Sequence, residues 1–145
     1  MRTLLLIAVL GFAPALFWLA YFYRKDRLEP EPRRLVLRTH LWGIFCAFPA
    51  AALEYLLPFN QWTMSVVGAP VVEESAKFLA VYLTIFRNPE FDEPMDGIVY
   101  GVAAALGFAA LENVGYLYNA HTQYGSAALG GVFLVRGLLT VPAHA

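Results

Sequence analysis

Cysteine is almost missing from this 145-residue chain: Cys46 stands alone, which excludes an internal disulfide and any cysteine-rich metal site. Charge is scarce as well. Asp, Glu, Lys and Arg make up 14% of the residues, against about 25% in an ordinary soluble domain. Six of the ten basic residues (Arg24, Lys25, Arg27, Arg33, Arg34 and Arg38) fall in one fifteen-residue stretch, so the remainder is poorer still. Neither sign dominates, because the formal net charge is −1. These shortages exclude a disordered protein, a nucleic-acid binder with a basic face and most cytosolic enzymes. Repeats and low-complexity tracts are also lacking. What abounds is apolar: 59% of residues come from the AVILMFWYC set. The chain reads as an all-α, multi-pass integral membrane protein whose first partner is membrane lipid.

Thr3 to Tyr23 are 21 consecutive uncharged positions. As a helix they reach roughly 31 Å, matching a hydrocarbon core of about 30 Å. The run is too long for the apolar part of a signal peptide, and the strong positive cluster follows it. That cluster, within residues 24–38, places the loop on the cytoplasmic side and the N-terminus outside. A second span is expected over about 39–57, a third over 62–86 and a fourth over 98–118, with an external turn from Asn119 to Ser126. A fifth, over 127–145, stops without a polar flank. The expectation is a polytopic transmembrane bundle of about five spans in one domain over 1–145, the N-terminal part of a longer protein.

Ionisable groups at membrane depth are costly, so they mark function. The third span carries Glu73, Glu74 and Lys77, a penalty of roughly 8–10 kcal/mol on the insertion scale. Lys77 lies four residues from Glu73 and three from Glu74, so it can serve either carboxylate. One lysine cannot neutralise two glutamates. Adjacent carboxyl groups at low dielectric titrate apart, which suits a general base beside a general acid. The plainer reading is an ion network locking helices together, and a proton relay is a third.

In the fourth span, Gly97, Gly101, Ala105, Ala109 and Asn113 form a ridge of small side chains that predicts close helix approach. Phe108, Glu112 and Tyr116 run along the neighbouring ridge. The fifth span supplies Arg136 and His144, which with Thr140 step by four and drift about 40° per step. Arg136 needs a carboxylate, and Glu112 or the Glu73–Glu74 pair are the acids on offer. His40 and His121 are expected at the interface, and Arg38 and Glu54 near span ends, where long charged side chains snorkel. Depths estimated along the helices allow Glu73, Glu112 and His144 to share a site.

These residues resemble the PrsW family of intramembrane proteases, within the membrane superfamily that includes CAAX prenyl-protein endopeptidases and Abi proteins. The resemblance rests on Glu73-Glu74-x-x-Lys77, on Phe108-x-x-x-Glu112-Asn113, and on Arg136 with His144, in order on successive spans. Tyr23-Arg-Lys-Asp26, Glu29-Pro-Glu-Pro32 and Glu93-Pro-Met-Asp-Gly-Ile-Val-Tyr-Gly101 resemble the family's loops. The family implies cleavage of membrane-anchored protein substrates such as anti-sigma factors, in a bacterial cell membrane. It further implies either a metalloprotease or a glutamate-activated water, and a second histidine one turn past the first.

The expected activity is therefore an intramembrane endopeptidase. Glu73, Glu74, Glu112 and His144 are the candidate catalytic residues, with Lys77, Phe108, Asn113 and Arg136 supporting substrate and transition state. Arg136 and Asn113 are expected to face the oxyanion. Glu74, Glu112 and His144 are also candidate ligands for zinc with an open water position. The sequence leaves both mechanisms open. A transporter or proton channel, and a non-catalytic membrane assembly protein, are the competing readings.

Overall fold

A computed structural model describes residues 2–25 and 29–145; Asp26 and Arg27 of the expected basic loop lie outside the described residues. Helices account for nearly all of it: α1 (Arg2–Tyr23), α2 (Arg33–Leu56), α3 (Gln61–Thr63), a π-helical turn (Met64–Gly68), α4 (Ala69–Thr84), α5 (Pro94–Tyr124), a 3-10 turn (Ser126–Ala128), α6 (Leu129–Val135), a second π-helical turn (Arg136–Thr140) and α7 (Val141–Ala143). Among the described residues there is no strand. Among the described residues, four stretches are long and apolar enough to cross a membrane: Arg2–Tyr23, Arg33–Leu56, Pro94–Tyr124 and Ser126–Ala143.

The expected spans are all helical, but several ends move. The second begins at Arg33 instead of 39, and the third closes at Thr84 instead of 86. The third is also assembled from α3, a π turn and α4, and its three charges keep it out of the purely apolar set. The fourth gains a turn or more at both ends. At its start Glu93 and Asp96 form a reciprocal capping box with Pro94 in the first turn, so helix begins in a polar stretch. At its end the expected turn over Asn119–Ser126 is mostly helix. Chain direction changes at Gly125, whose φ of 78° suits glycine.

The core is α5. All nine positions from Val102 to Ala110 are buried, as befits a helix wrapped on every side. Its closest approach is to α2, and it does not use the expected ridge. A Cβ on Gly107 would sit 2.0 Å from the His40 carbonyl oxygen, and one on Gly43 would sit 2.1 Å from that of Ala104. Gly101 has open space around it. The small residues at the crossing are thus Gly43 and Gly107, one on each helix. His40 is packed into this crossing, 2% exposed with Nδ1 at 3.1 Å from the Ala103 carbonyl, and is not at the interface. Its neighbour Thr39 meets Thr84 of α4 at 2.9 Å, and Arg38 donates to the Thr84 carbonyl.

At the end where α2 and α5 begin, two acidic loops meet. The charge of Glu29 holds the Glu93 carboxyl above the usual range, so these loops repel in part. The first loop is anchored to the bundle at Glu31, which accepts from the Tyr100 hydroxyl of α5 at 2.5 Å and, through its carbonyl, from the Tyr23 hydroxyl of α1 at 2.8 Å.

Candidate active site

Two prolines shape the site before any charged group enters. Pro70 and Pro142 each follow a π-helical turn by two residues. A proline inside a helix lacks an N–H and crowds the carbonyl four residues back. A widened turn relieves that crowding, and such turns concentrate at functional sites. In the second π turn the Val141 N–H bonds to the Arg136 carbonyl, so the Gly137 carbonyl loses its α-helical partner. Its π-helical partner would be Pro142, which has no N–H. Trp18 of α1 fills the gap, donating Nε1–H to the Gly137 oxygen at 3.0 Å.

The π turn also fits one residue more into its turn than an α-helix does, and so takes up part of the drift between Arg136 and His144. Both then reach one carboxylate. Arg136 Nη2 donates to Glu112 Oε2 at 2.9 Å, and His144 Nε2 lies 3.1 Å from the same oxygen. Arg136 Nε donates to Asn113 Oδ1 at 2.7 Å, and Asn113 Nδ2 to the Gly11 carbonyl of α1 at 3.5 Å. Tyr116, one turn beyond Glu112, lies beneath the guanidinium with its ring centre 3.7 Å from Cζ.

From α4, Lys77 Nζ donates to Glu74 Oε1 at 2.6 Å and meets His144 Nδ1 at 2.9 Å. An ammonium only donates, so Nδ1 accepts and Nε2 carries the hydrogen given to Glu112. Phe108 lies against the cluster, its ring centre 5.2 Å from Lys77 Nζ and 6.4 Å from the imidazole. A continuous polar chain thus runs Glu74–Lys77–His144–Glu112–Arg136–Asn113–Gly11 across four helices.

The structure separates the two adjacent glutamates. Glu73, 19% exposed and 3.9 Å from Lys77, lines a cavity of ≈ 490 Å³ together with Phe108 and Glu112. Glu74, 70% exposed, lies outside that lining. Asn113 is fully buried with both ends of its amide engaged, so it holds Arg136 and does not face the cavity as expected. Glu54 lies near the end of α2 as expected, and it also stands on the cavity wall beside Glu73 and Glu112. Sequence reasoning named Glu54 and Tyr116 without giving them a role at the site, and it did not single out Trp18. The available signals were Ala47, Ala51 and Glu54 on one face of α2 (i, i+4, i+7), and Tyr116 four residues after Glu112.

A family model described as PrsW family intramembrane metalloprotease matches residues 31–145, taking in every polar side chain of this cluster. The chain belongs to the PrsW family. Protease PrsW of Geobacillus kaustophilus (strain HTA426) is 39% identical over 140 residues, covering 93% of this chain and 59% of that protein. Protease PrsW of Bacillus subtilis (strain 168) is 35% identical, covering 93% and 61%. Protease PrsW of Clostridioides difficile (strain 630) is 33% identical, covering 97% and 60%. The chain therefore spans about three fifths of the length of these curated relatives. No solved structure matches it at a significant level. With membrane-length helices and membrane-protease relatives, this PrsW chain is an integral membrane protein.

The description of the PrsW family implies a metal, and the side chains test that. Among the described residues no three His, Cys, Asp or Glu side chains converge closely enough to hold one. Of the expected ligands, Glu112 and His144 bond to each other, while Glu74 is held apart by Lys77. Two cationic side chains stand where a metal would need anionic surroundings. As arranged here, the described side chains do not by themselves make a zinc site.

Proposed function

We propose that this chain forms the catalytic heart of an intramembrane endopeptidase acting on membrane-anchored protein substrates, anti-sigma factors among them. The observation that supports it best is one cavity presenting both Glu73 and Glu112, the latter held by His144 and Arg136. Glu73 is the general base. It takes a proton from water as the water oxygen attacks the peptide carbonyl carbon. A proton passes from the Lys77 ammonium to His144 Nδ1 while the Nε2 proton passes to Glu112 and on to the leaving nitrogen as the C–N bond breaks, giving a carboxylic acid and an amine. The proton on Glu73 then returns to Lys77, 3.9 Å away. Arg136 has five N–H donors, and those not bonded to Glu112 and Asn113 serve the developing oxyanion. Lys77 and Asn113 hold His144 and Arg136 in place.

The test is cleavage of a single-span substrate in liposomes by the native protein. A general base contributes about 10²–10⁴-fold, so Glu73→Gln should lose at least roughly 100-fold in kcat, and Glu112→Gln a comparable amount. Glu74→Gln should lose far less, roughly tenfold, because its carboxylate only anchors Lys77. Wild-type rates in both Glu73→Gln and Glu112→Gln would remove the proposal. Ion flux without any cleavage would favour the transporter reading.

A further inference from the structure

Glu54 has no part in the hydrolysis just described, yet it shares the cavity with the two carboxylates that do. It lies near the end of α2, on the same side as Gly115, Tyr116 and Asn119 of α5, so the cavity extends beyond the reacting centre towards one end of the bundle. The cations nearby are already committed. Lys77 is bound by Glu74 and His144, and Arg136 by Glu112 and Asn113. Among the described residues no Lys, Arg or His forms a salt bridge with Glu54. Its neighbours on the cavity wall are themselves acidic, Glu73 and Glu112. A half-buried carboxylate with acidic neighbours and no cationic partner is costly, and a cation arriving in the cavity would relieve that cost.

We propose that Glu54 is a specificity-determining residue that receives the ammonium or guanidinium of a substrate Lys or Arg close to the scissile bond. This rests on the peptidase reading above. From Glu112 to Asn119 is seven residues of helix, about 10 Å. Extended peptide covers about 3.3–3.6 Å per residue, so the cation belongs within about four residues of the cleaved bond. The volume of ≈ 490 Å³ falls in the range of sites that enclose a ligand, roughly 300–1,000 Å³. Ala47 and Ala51, small residues on the α2 face that carries Glu54, line the same cavity.

The experiment compares single-span substrates carrying Lys, Gln or Glu at each of the four positions either side of the cleaved bond, with native protein in liposomes. The readout is the ratio of kcat/KM between Lys and Gln substrates at one register, a quantity internal to each enzyme. The wild type should favour Lys by roughly tenfold, as expected for a charge-assisted contact of about 1.5 kcal/mol. In Glu54→Gln the ratio should fall to near unity. In Glu54→Lys the preference should invert towards Glu, and in Glu54→Asp it should persist. A Lys preference that survives Glu54→Gln and Glu54→Lys overturns the proposal, as does a wild type indifferent to charge at every register. Absence of cleavage by the wild type would instead bring down the peptidase reading, and this one with it.

Discussion

His144 spends both ring nitrogens within the protein, on Lys77 and on Glu112. A residue expected to work as a free acid or metal ligand is thus a link between two charges on different helices. Arg136 makes a similar bridge, and its geometry matters more than its charge. It joins Glu112 to Asn113 through separate nitrogens and lies over the Tyr116 ring, which a lysine ammonium cannot do at once. Arg136→Lys should therefore lower kcat for a single-span substrate by roughly 10–100-fold, as loss of a hydrogen bond to a charged group is worth about 1.5–3 kcal/mol. Kinetics on the reconstituted variant check this, and an unchanged kcat would mean that the charge alone suffices. At this scale the sequence was informative in kind but not in role. Glu73, Glu74, Lys77, Glu112 and Arg136 were legible because a charge in an apolar run needs a reason. Which of the two glutamates enters the cavity depends on helix rotation after Pro70, and adjacent residues do not disclose that.

At the scale of the element, the prolines decide the register. The spans were legible from their apolar length, and their ends were not. Polar helix starts such as the Glu93–Asp96 capping box look like loop to a hydropathy reading. The small-residue ridge from Gly97 to Asn113 was only partly used: Ala109 and Asn113 pack on α1, while Gly101 has open space. Almost every position of α5 is small, so composition could not say which side meets α2, and Gly107 settles it through contact with the His40 backbone. Gly107→Val should overpack that crossing. Overpacking typically costs about 1–3 kcal/mol, and a backbone contact leaves little room to yield, so thermal unfolding in detergent should show a clearly lower Tm. Pro142 offers the opposite case. Pro142→Ala restores an N–H to the helix and lets the π turn return to α geometry, which rotates His144 away from Glu112. Because proline in a helix interior is unfavourable by about 3 kcal/mol, the variant should keep or raise its Tm while losing activity. A Tm that falls together with activity would show that the π turn is not set by this proline.

Over the whole molecule, two ends differ in a way that bears on how the protein lies in its membrane. Large aromatics stand out at one end: Tyr55 is 89% exposed, Trp62 72% and Tyr124 74%, as in an interfacial belt. The other end carries Arg24, Lys25, Arg33, Arg34 and Arg87, which the positive-inside rule predicts to be cytoplasmic. Between them the outer surface is apolar, with Leu5, Phe17 and Phe45 more than half exposed, which suits acyl chains and not water. The positive-inside rule predicts that the end bearing Glu54 and Asn119 faces outward, where a substrate's external juxtamembrane segment would reach the cavity first. The lone cysteine makes this directly measurable. Cys46 is 4% exposed, so the wild type should react little with a membrane-impermeant maleimide. Thr122→Cys, at the aromatic end, should be labelled in intact cells. Glu90→Cys, in the exposed loop at the basic end, should be labelled only after the membrane is opened. The reverse pattern would invert the protein in the bilayer and place the mouth of the cavity in the cytoplasm. Any substrate would then have to present its cleaved bond, and the cation beside it, from the inner face.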